Sequence, residues 1–203
     1  FIQYFYGNGQ LKETAEQDSN GYYINTLTRY YESGQIQLIR PLVQDIIHGI
    51  EKQYYPDGAL EAERYYNQGY EYEAVWYHPN GAIKQKVFND VTGKVIEEFY
   101  DSGKPAWREP FNTEGQLHGE HVKWHPNGQL EEKIYFEDGK EQGMALWYHD
   151  NGQLALEIYL EKGFREGLFK SYYKSGVLSA EGQYKNNLSV APFIEYHENQ
   201  QIQ

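Results

Sequence analysis

The stretch Trp124-His125-Pro126-Asn127-Gly128-Gln129-Leu130-Glu131-Glu132 decides the fold, because the chain keeps repeating it. Near-copies are Tyr77-His78-Pro79-Asn80-Gly81-Ala82-Ile83 and Tyr148-His149-Asp150-Asn151-Gly152-Gln153-Leu154. Weaker copies begin at Tyr4, Tyr30, Tyr54, Phe99, Tyr172 and Tyr196. The turn glycines are Gly9, Gly34, Gly58, Gly81, Gly103, Gly128, Gly152 and Gly176, and a ninth copy puts Gln200 in the glycine's place. A period of about 24 residues through the whole chain is the signature of a repeat architecture.

With the turn glycine numbered zero, position −4 is always aromatic and position −3 is always a ring, Tyr or His. Position +2 is aliphatic except at Pro105. Between them lie Pro-Asn-Gly, Pro-Asp-Gly, Asp-Ser-Gly and their variants. Proline presets the first corner of a type I turn, Asn or Asp suits the second, and glycine takes the left-handed residue that follows. That predicts a hairpin with a three-residue loop. Side chains alternate along a strand, so the aromatic −4 and aliphatic +2 should share the buried face. The −3 face, which also carries the freely varying −5 position, should be half-wet.

A second turn is expected midway, as in Glu137-Asp138-Gly139-Lys140 and Glu161-Lys162-Gly163-Phe164. His118-Gly119, Gln142-Gly143 and Glu166-Gly167 follow at matching places. One hairpin is barely stable in water, so neighbours must stack. The expectation is an all-β solenoid of eight or nine hairpins in a single domain over residues 1–203, an elongated rod roughly 80 Å long at ~4.8 Å per strand. Pro and Gly every dozen residues argue against helical repeats. The apolar piece from Leu38 to Ile47 reads as strand because the period runs through it. A bend or bulge is expected between Thr92 and Trp107, where spacing shortens.

The 203 residues include 21 Tyr, 9 Phe and 4 Trp but no Cys, and the net charge is −12. Amphipathic rings suit a thin fold with little interior. Without Cys, disulfides and thiolate metal sites are excluded, and no apolar run is long enough to span a membrane. Nucleic acid and anionic membranes call for cationic surfaces, which this composition opposes. A basic protein partner fits it better. Localisation stays undetermined. The cytoplasm is the first expectation, with export or the periplasm as the alternative because the chain opens on Phe1 rather than Met.

The run Glu120 to Glu132, preceded by His118-Gly119, resembles the bacterial variant of MORN repeats, in particular the YwqK-type family. Departures are Gln200 for Gly, Pro105 for Leu and His at four −3 positions. The resemblance implies an antitoxin or immunity protein that occludes a toxin. The motif contains no catalytic residues, so it implies no enzyme and no cofactor.

His118, His121 and His125 are close in sequence, but strand alternation sends His118 and His121 to opposite faces, which argues against a metal site. His78, His125, His149 and His197 all occupy −3. They read as rungs of a structural ladder, or as a binding strip that would titrate near pH 6–7. Trp76 and Trp147 at the variable −5 position read either as exposed contact rings or as covers for a neighbouring loop. The candidate protein-binding residues are Tyr55, Trp76, His78, Glu98, Tyr100, His125, Trp147, His149 and Tyr173, on the −3/−5 face. No P-loop, Gly-x-Ser-x-Gly or His-Glu-x-x-His motif appears, and adjacent carboxylates such as Glu131 and Glu132 point apart in a strand. The composite expectation is a non-enzymatic protein-binding module. The alternatives are a glycan- or cell-wall-binding repeat protein, or a scaffold whose open ends self-associate.

Overall fold

The structure is a computed structural model and describes residues 1–202. It is all-β: nineteen strands, every described pairing antiparallel, and no helix among the described residues. The chain divides into two compact units, one of Phe1–Asn89 with Asp101–Gly103, the other of Asp90–Tyr100 with Lys104–Gln203. The first unit holds β1 (Ile2–Phe5), β2 (Leu11–Gln17), β3 (Tyr23–Tyr30), β4 (Ile36–Val43), β5 (Ile46–Ile47), β6 (Gly49–Tyr54), β7 (Leu60–Asn67), β8 (Tyr70–Tyr77) and β9 (Ile83–Asn89). The second holds β10 (Lys94–Phe99), β11 (Pro105–Pro110), β12 (Gly119–Trp124), β13 (Leu130–Glu137) and β14 (Lys140–Tyr148). It continues with β15 (Leu154–Glu161), β16 (Phe164–Tyr172), β17 (Leu178–Lys185), β18 (Leu188–Ser189) and β19 (Ile194–Glu195). Each unit is a meander of antiparallel neighbours, in which β4 pairs with both β5 and β6 and β17 pairs with both β18 and β19. The piece from Leu38 to Ile47 is strand, as its period indicates.

The two turns of each repeat differ in kind. At the glycine turn, the N–H of Gly152 donates to the carbonyl of His149 at 2.9 Å, and the His149 N–H donates to Gln153 at 2.8 Å. Gly152 has φ +83°, the left-handed residue of a three-residue loop. At the ninth copy Gln200 takes that conformation with φ +67°. The midway turn is usually a two-residue loop with both corners left-handed, as in Asp138 (φ +48°) and Gly139 (φ +78°). Such type I′ turns follow the twist of the flanking strands. The pair Gln44 and Asp45 does the same without glycine.

Between Thr92 and Trp107 the register shifts at Glu98/Phe99, as it does beside the other glycine turns. The midway turn at residues 90–93 is built differently from the two-residue loops. The Asp90 N–H donates to the Gly93 carbonyl, and the Asp90 carboxylate accepts from Thr92 and Gly93.

The core lies on the opposite face from the one expected. The most buried side chains stand at −7 (Leu27, Ala74, Ala145), +6 (Ala15, Ile134, Ile158), +4 (Leu38, Ala62) and +8 (Leu42, Leu160). These share a face with −5, not with −4. Position −4 does oppose +2, as Tyr148 opposes Leu154, but the register then slips by one so that Trp147 opposes Leu156. The extra residue is a bulge. The −4/+2 pair therefore sits at the hairpin's end, with solvent beside it, and Ile36 and Phe5 remain 38% and 57% exposed. Beyond the bulge, the +4, +6 and +8 side chains join −5 and −7 in the core. Ala15, Leu27, Leu38 and Leu42 make the cluster of the first unit; Ile134, Ala145, Ile158 and Leu160 make that of the second. The outer face, −4, −6 and −8, is more polar, although Val75 and Val122 at −6 and Val95 at −8 are buried there.

Gly93 identifies the tightest backbone approach. Its φ is +146°, and a Cβ would stand 2.2 Å from the Phe111 carbonyl oxygen. Gly93→Ala is expected to destabilise the protein by about 2–4 kcal/mol, because backbone rather than a flexible side chain must move. Gly34→Ala, left-handed but in open space, should cost about 1–2 kcal/mol. Urea-unfolding midpoints compare the two; equal losses would contradict this packing.

Candidate interaction surface

The −3 rings do a specific job. Tyr6, Tyr31, Tyr55, Tyr100, His125, His149 and Tyr173 each reach into the next repeat and donate from the tip to the backbone carbonyl of that repeat's −4 residue. Tyr6 donates to Tyr30 at 2.6 Å, Tyr31 to Tyr54 at 2.8 Å, and Tyr55 to Tyr77 at 2.9 Å. Tyr100 donates to Trp124 at 2.6 Å and Tyr173 to Tyr196 at 2.7 Å. The Nε2 of His125 stands 2.8 Å from the Tyr148 carbonyl, and that of His149 stands 2.8 Å from the Tyr172 carbonyl. A carbonyl only accepts, so these imidazoles carry the proton on Nε2. Tyr and His alternate freely at −3 because both present a donor at the tip of a flat ring. Protonation of the other nitrogen leaves the Nε2–H in place, so the rung survives either charge state.

A second link lies beside it. The Asn151 side-chain amide donates to the Lys174 carbonyl of the next turn at 2.7 Å, while its Oδ1 accepts the Gln153 N–H at 3.1 Å. Asn80 and Asn127 do the same. At the opposite edge, His48, His118, Gln142 and Glu166 accept an N–H from the midway turn of the following repeat. The scaffold thus accounts for the turn Gly, the −1 Asn, the −3 ring and the −10 acceptor.

The predicted contact residues belong to this scaffold in different degrees. Tyr55, Tyr100, His125, His149 and Tyr173 are half-buried and spend their polar tips on the ladder. His78 holds Asp101 through Nδ1 at 3.1 Å. Trp147 packs on the second core cluster and donates from Nε1 to Glu132 at 2.5 Å. Trp76 is half-buried with the Arg64 guanidinium 5.9 Å from its ring centre. Glu98 is half-buried opposite Trp107. These side chains therefore share the face that carries the core. His118, His121 and His125 go to three different places: the midway turn at Asp138, a slot between Glu109 and Glu132, and the ring ladder.

Two ionisable side chains on the core face were not read from the sequence. Glu51 is 2% exposed and is held by Arg40 and by Arg64, the latter at 3.1 Å. Paired guanidinium groups are what make such burial tolerable. The signal was present: Glu51 occupies −7, where Leu27, Ala74 and Ala145 stand, and both arginines occupy +6. The second is His121, whose Nδ1 is buried without a hydrogen bond and whose Nε2 lies 3.2 Å from Glu132.

The outer face shows its own inter-repeat bonds. The −4 hydroxyls of Tyr77 and Tyr172 donate to Glu63 at 2.9 Å and to Glu157 at 2.7 Å. Burial first, then the adjacent carboxylate, pushes both phenols up to about 12. The neutral phenol is the form the fold favours, so its contribution is complete below the unfolded value near 10 and disappears as pH rises through about 12. Stability should fall between pH 10 and 12, and a Tyr77→Phe/Tyr172→Phe variant should fall less steeply over that range in urea titrations. For the ladder, Tyr31→Phe should cost about 1 kcal/mol, whereas His149→Tyr should be nearly neutral. Equal losses would contradict the shared-donor account.

A match to a family of repeats agrees with the repeat reading. The model of the MORN repeat variant matches residues 47–68, 117–140, 141–162 and 165–186. No curated protein matches the chain. Among solved structures, a chain in the "Crystal Structure of TcdB2-TccC3-Cdc42" aligns with 95% of this chain at 12% identity and a TM-score of 0.23. Only 14% of that chain's own length is involved, so the present chain spans a small part of it. The four matched segments of this chain are similar to the MORN repeat variant, and each carries a rung of the ring ladder and a left-handed glycine turn.

Proposed function

We propose that the chain is a non-enzymatic protein-binding module of the antitoxin or immunity type, which occludes a basic partner. The observation that supports this most is the division of labour within each repeat. Gly, Asn, the −3 ring and the −10 acceptor hold the scaffold, while the remaining outward positions vary, and the chain as a whole carries a net charge of −12. A surface of this sign attracts cationic partners and steers their approach, and it repels phosphate backbones and anionic lipid. Occlusion is the mechanism that suits it. A broad acidic sheet face covers the partner's cationic cleft, and slow dissociation follows from the area buried rather than from any reaction.

Affinity capture from a lysate of the source cell, with the folded chain as bait, tests this at two salt concentrations. The expected result is one basic protein, retained at low salt and released at high salt. Retention on cell-wall polysaccharide with no protein partner would overturn the reading.

A further inference from the structure

The outer face of the second unit carries a row of apolar side chains that the scaffold does not use. Tyr135 on β13, Met144 on β14, Tyr159 on β15 and Leu168 on β16 are 45%, 45%, 39% and 63% exposed. Met144 and Tyr159 are direct cross-strand partners. All four occupy −8 or +7, on the face opposite the core cluster of Ile134, Ala145, Ile158 and Leu160. The repeat does not require apolar residues there. The same positions hold Thr26, Glu73 and Glu120 at −8 and Glu16 and Gln183 at +7, alongside the apolar Ile50 and Val95 at −8 and Tyr65 and Phe88 at +7. The stripe crosses four neighbouring strands, with Gln142 rather than Met144 directly opposite Tyr135 and Glu166 rather than Leu168 directly opposite Tyr159, and it ends at Glu120 on one side and Gln183 on the other.

One rim of the stripe is acidic. Glu137 and Glu161 lie two residues beyond Tyr135 and Tyr159 on the same strands, so they project from the same face. Both are exposed, and neither has an ion pair among the described residues. On the opposite rim Lys133 is already paired with Glu120 at 2.7 Å. Lys140 stands opposite Glu137 across the hairpin turn, whereas Glu161 stands opposite Phe164, so a ligand seated on the stripe meets the rim's negative charge most directly at Glu161.

The spacing identifies the shape of such a ligand. Neighbouring strands stand about 4.8 Å apart, so the four side chains step across the sheet over roughly 14 Å. An α-helix laid across the strands presents one apolar residue per turn, every ~5.4 Å, and three turns cover roughly 16 Å. The mismatch per step is about half an ångström, which the unbranched Met144 can absorb. An extended strand crossing at right angles would instead meet each row with side chains of alternating direction.

We infer that this stripe is a docking site for an amphipathic α-helix of a protein partner, with its apolar ridge on Tyr135, Met144, Tyr159 and Leu168 and a flank of Lys or Arg against Glu137 and Glu161. The inference rests on the protein-binding reading above and moves the contact from the core face to the outer face. Helix-in-groove recognition works by such i, i+3/i+4, i+7 anchors.

The test uses a fluorescently labelled Leu/Lys model peptide with helical apolar periodicity, titrated with the whole chain. Its controls are a scrambled peptide of equal composition and a Leu/Glu helix. The intact chain should bind the Leu/Lys helix at least tenfold more tightly than either control. Tyr135→Ser/Tyr159→Ser should lose that preference, because both rings are solvent-facing and outside the core cluster. Tyr70→Ser, an exposed tyrosine of the first unit, should leave binding unchanged. Circular dichroism confirms that the variants remain folded. Equal binding of the scrambled peptide, undiminished binding by the double variant, or no binding of the model helix would overturn the assignment. The double variant as bait in the capture experiment separates the two readings. A basic partner still held by it refutes the stripe alone, whereas no partner on either bait refutes protein binding itself.

Discussion

The structure depends on one hydrogen bond used again and again, from the tip of a −3 ring to the backbone carbonyl of the next repeat. It starts on a residue beside one hairpin turn and ends on the last strand residue before the next turn. Tyr173, for example, reaches Tyr196 across 23 residues of sequence. An isolated hairpin gains too little from its own ladder to persist in water. The rung ties it to a neighbour at the place where its strand ladder ends. Each rung contributes only about 1 kcal/mol, so stability comes from repetition together with the apolar clusters beneath. The requirement on each residue is narrow, a flat ring with a donor at its end, and both Tyr and imidazole meet it.

This constraint also sorts the rest of the surface. A −3 ring whose polar tip is committed to a carbonyl cannot offer that tip to a partner, although its edge stays partly open. The core-face neighbours at −5 are similarly engaged, Trp147 with Glu132 and Trp76 with Arg64. Glu51 between Arg40 and Arg64 shows the same face accommodating charge where the repeat elsewhere places Leu or Ala. The outer face is where apolar residues stand without a structural task, at Tyr135, Met144, Tyr159 and Leu168. A partner acting through that face would leave the ladder untouched, which separates binding from folding.

Much of this was legible in the residues. The glycine period, the Pro-Asn-Gly corners and the alternation of types around them lead to hairpins with three-residue loops, and Gly152 and Gln200 adopt the conformation that reasoning requires. The buried face was misassigned because periodicity assumes unbroken alternation, and the slip after Leu154 breaks it. No residue type announces that bulge, since +3 is an ordinary side chain. Glu51 could have been found by asking why a carboxylate stands in an apolar column with arginines in the next. The outer stripe was harder: Tyr135 and Tyr159 look like any other tyrosines until the register separates them from the rings of the ladder.

The most direct measurement is the nitrogen-15 spectrum of the His125 and His149 imidazoles at neutral pH. The ring ladder places the proton on Nε2 of both, facing the Tyr148 and Tyr172 carbonyls. Shifts that show Nε2 of both rings carrying its proton are the expected result. A predominance of the Nδ1–H tautomer, or free exchange between the two, would mean that these rings do not hold the repeats together.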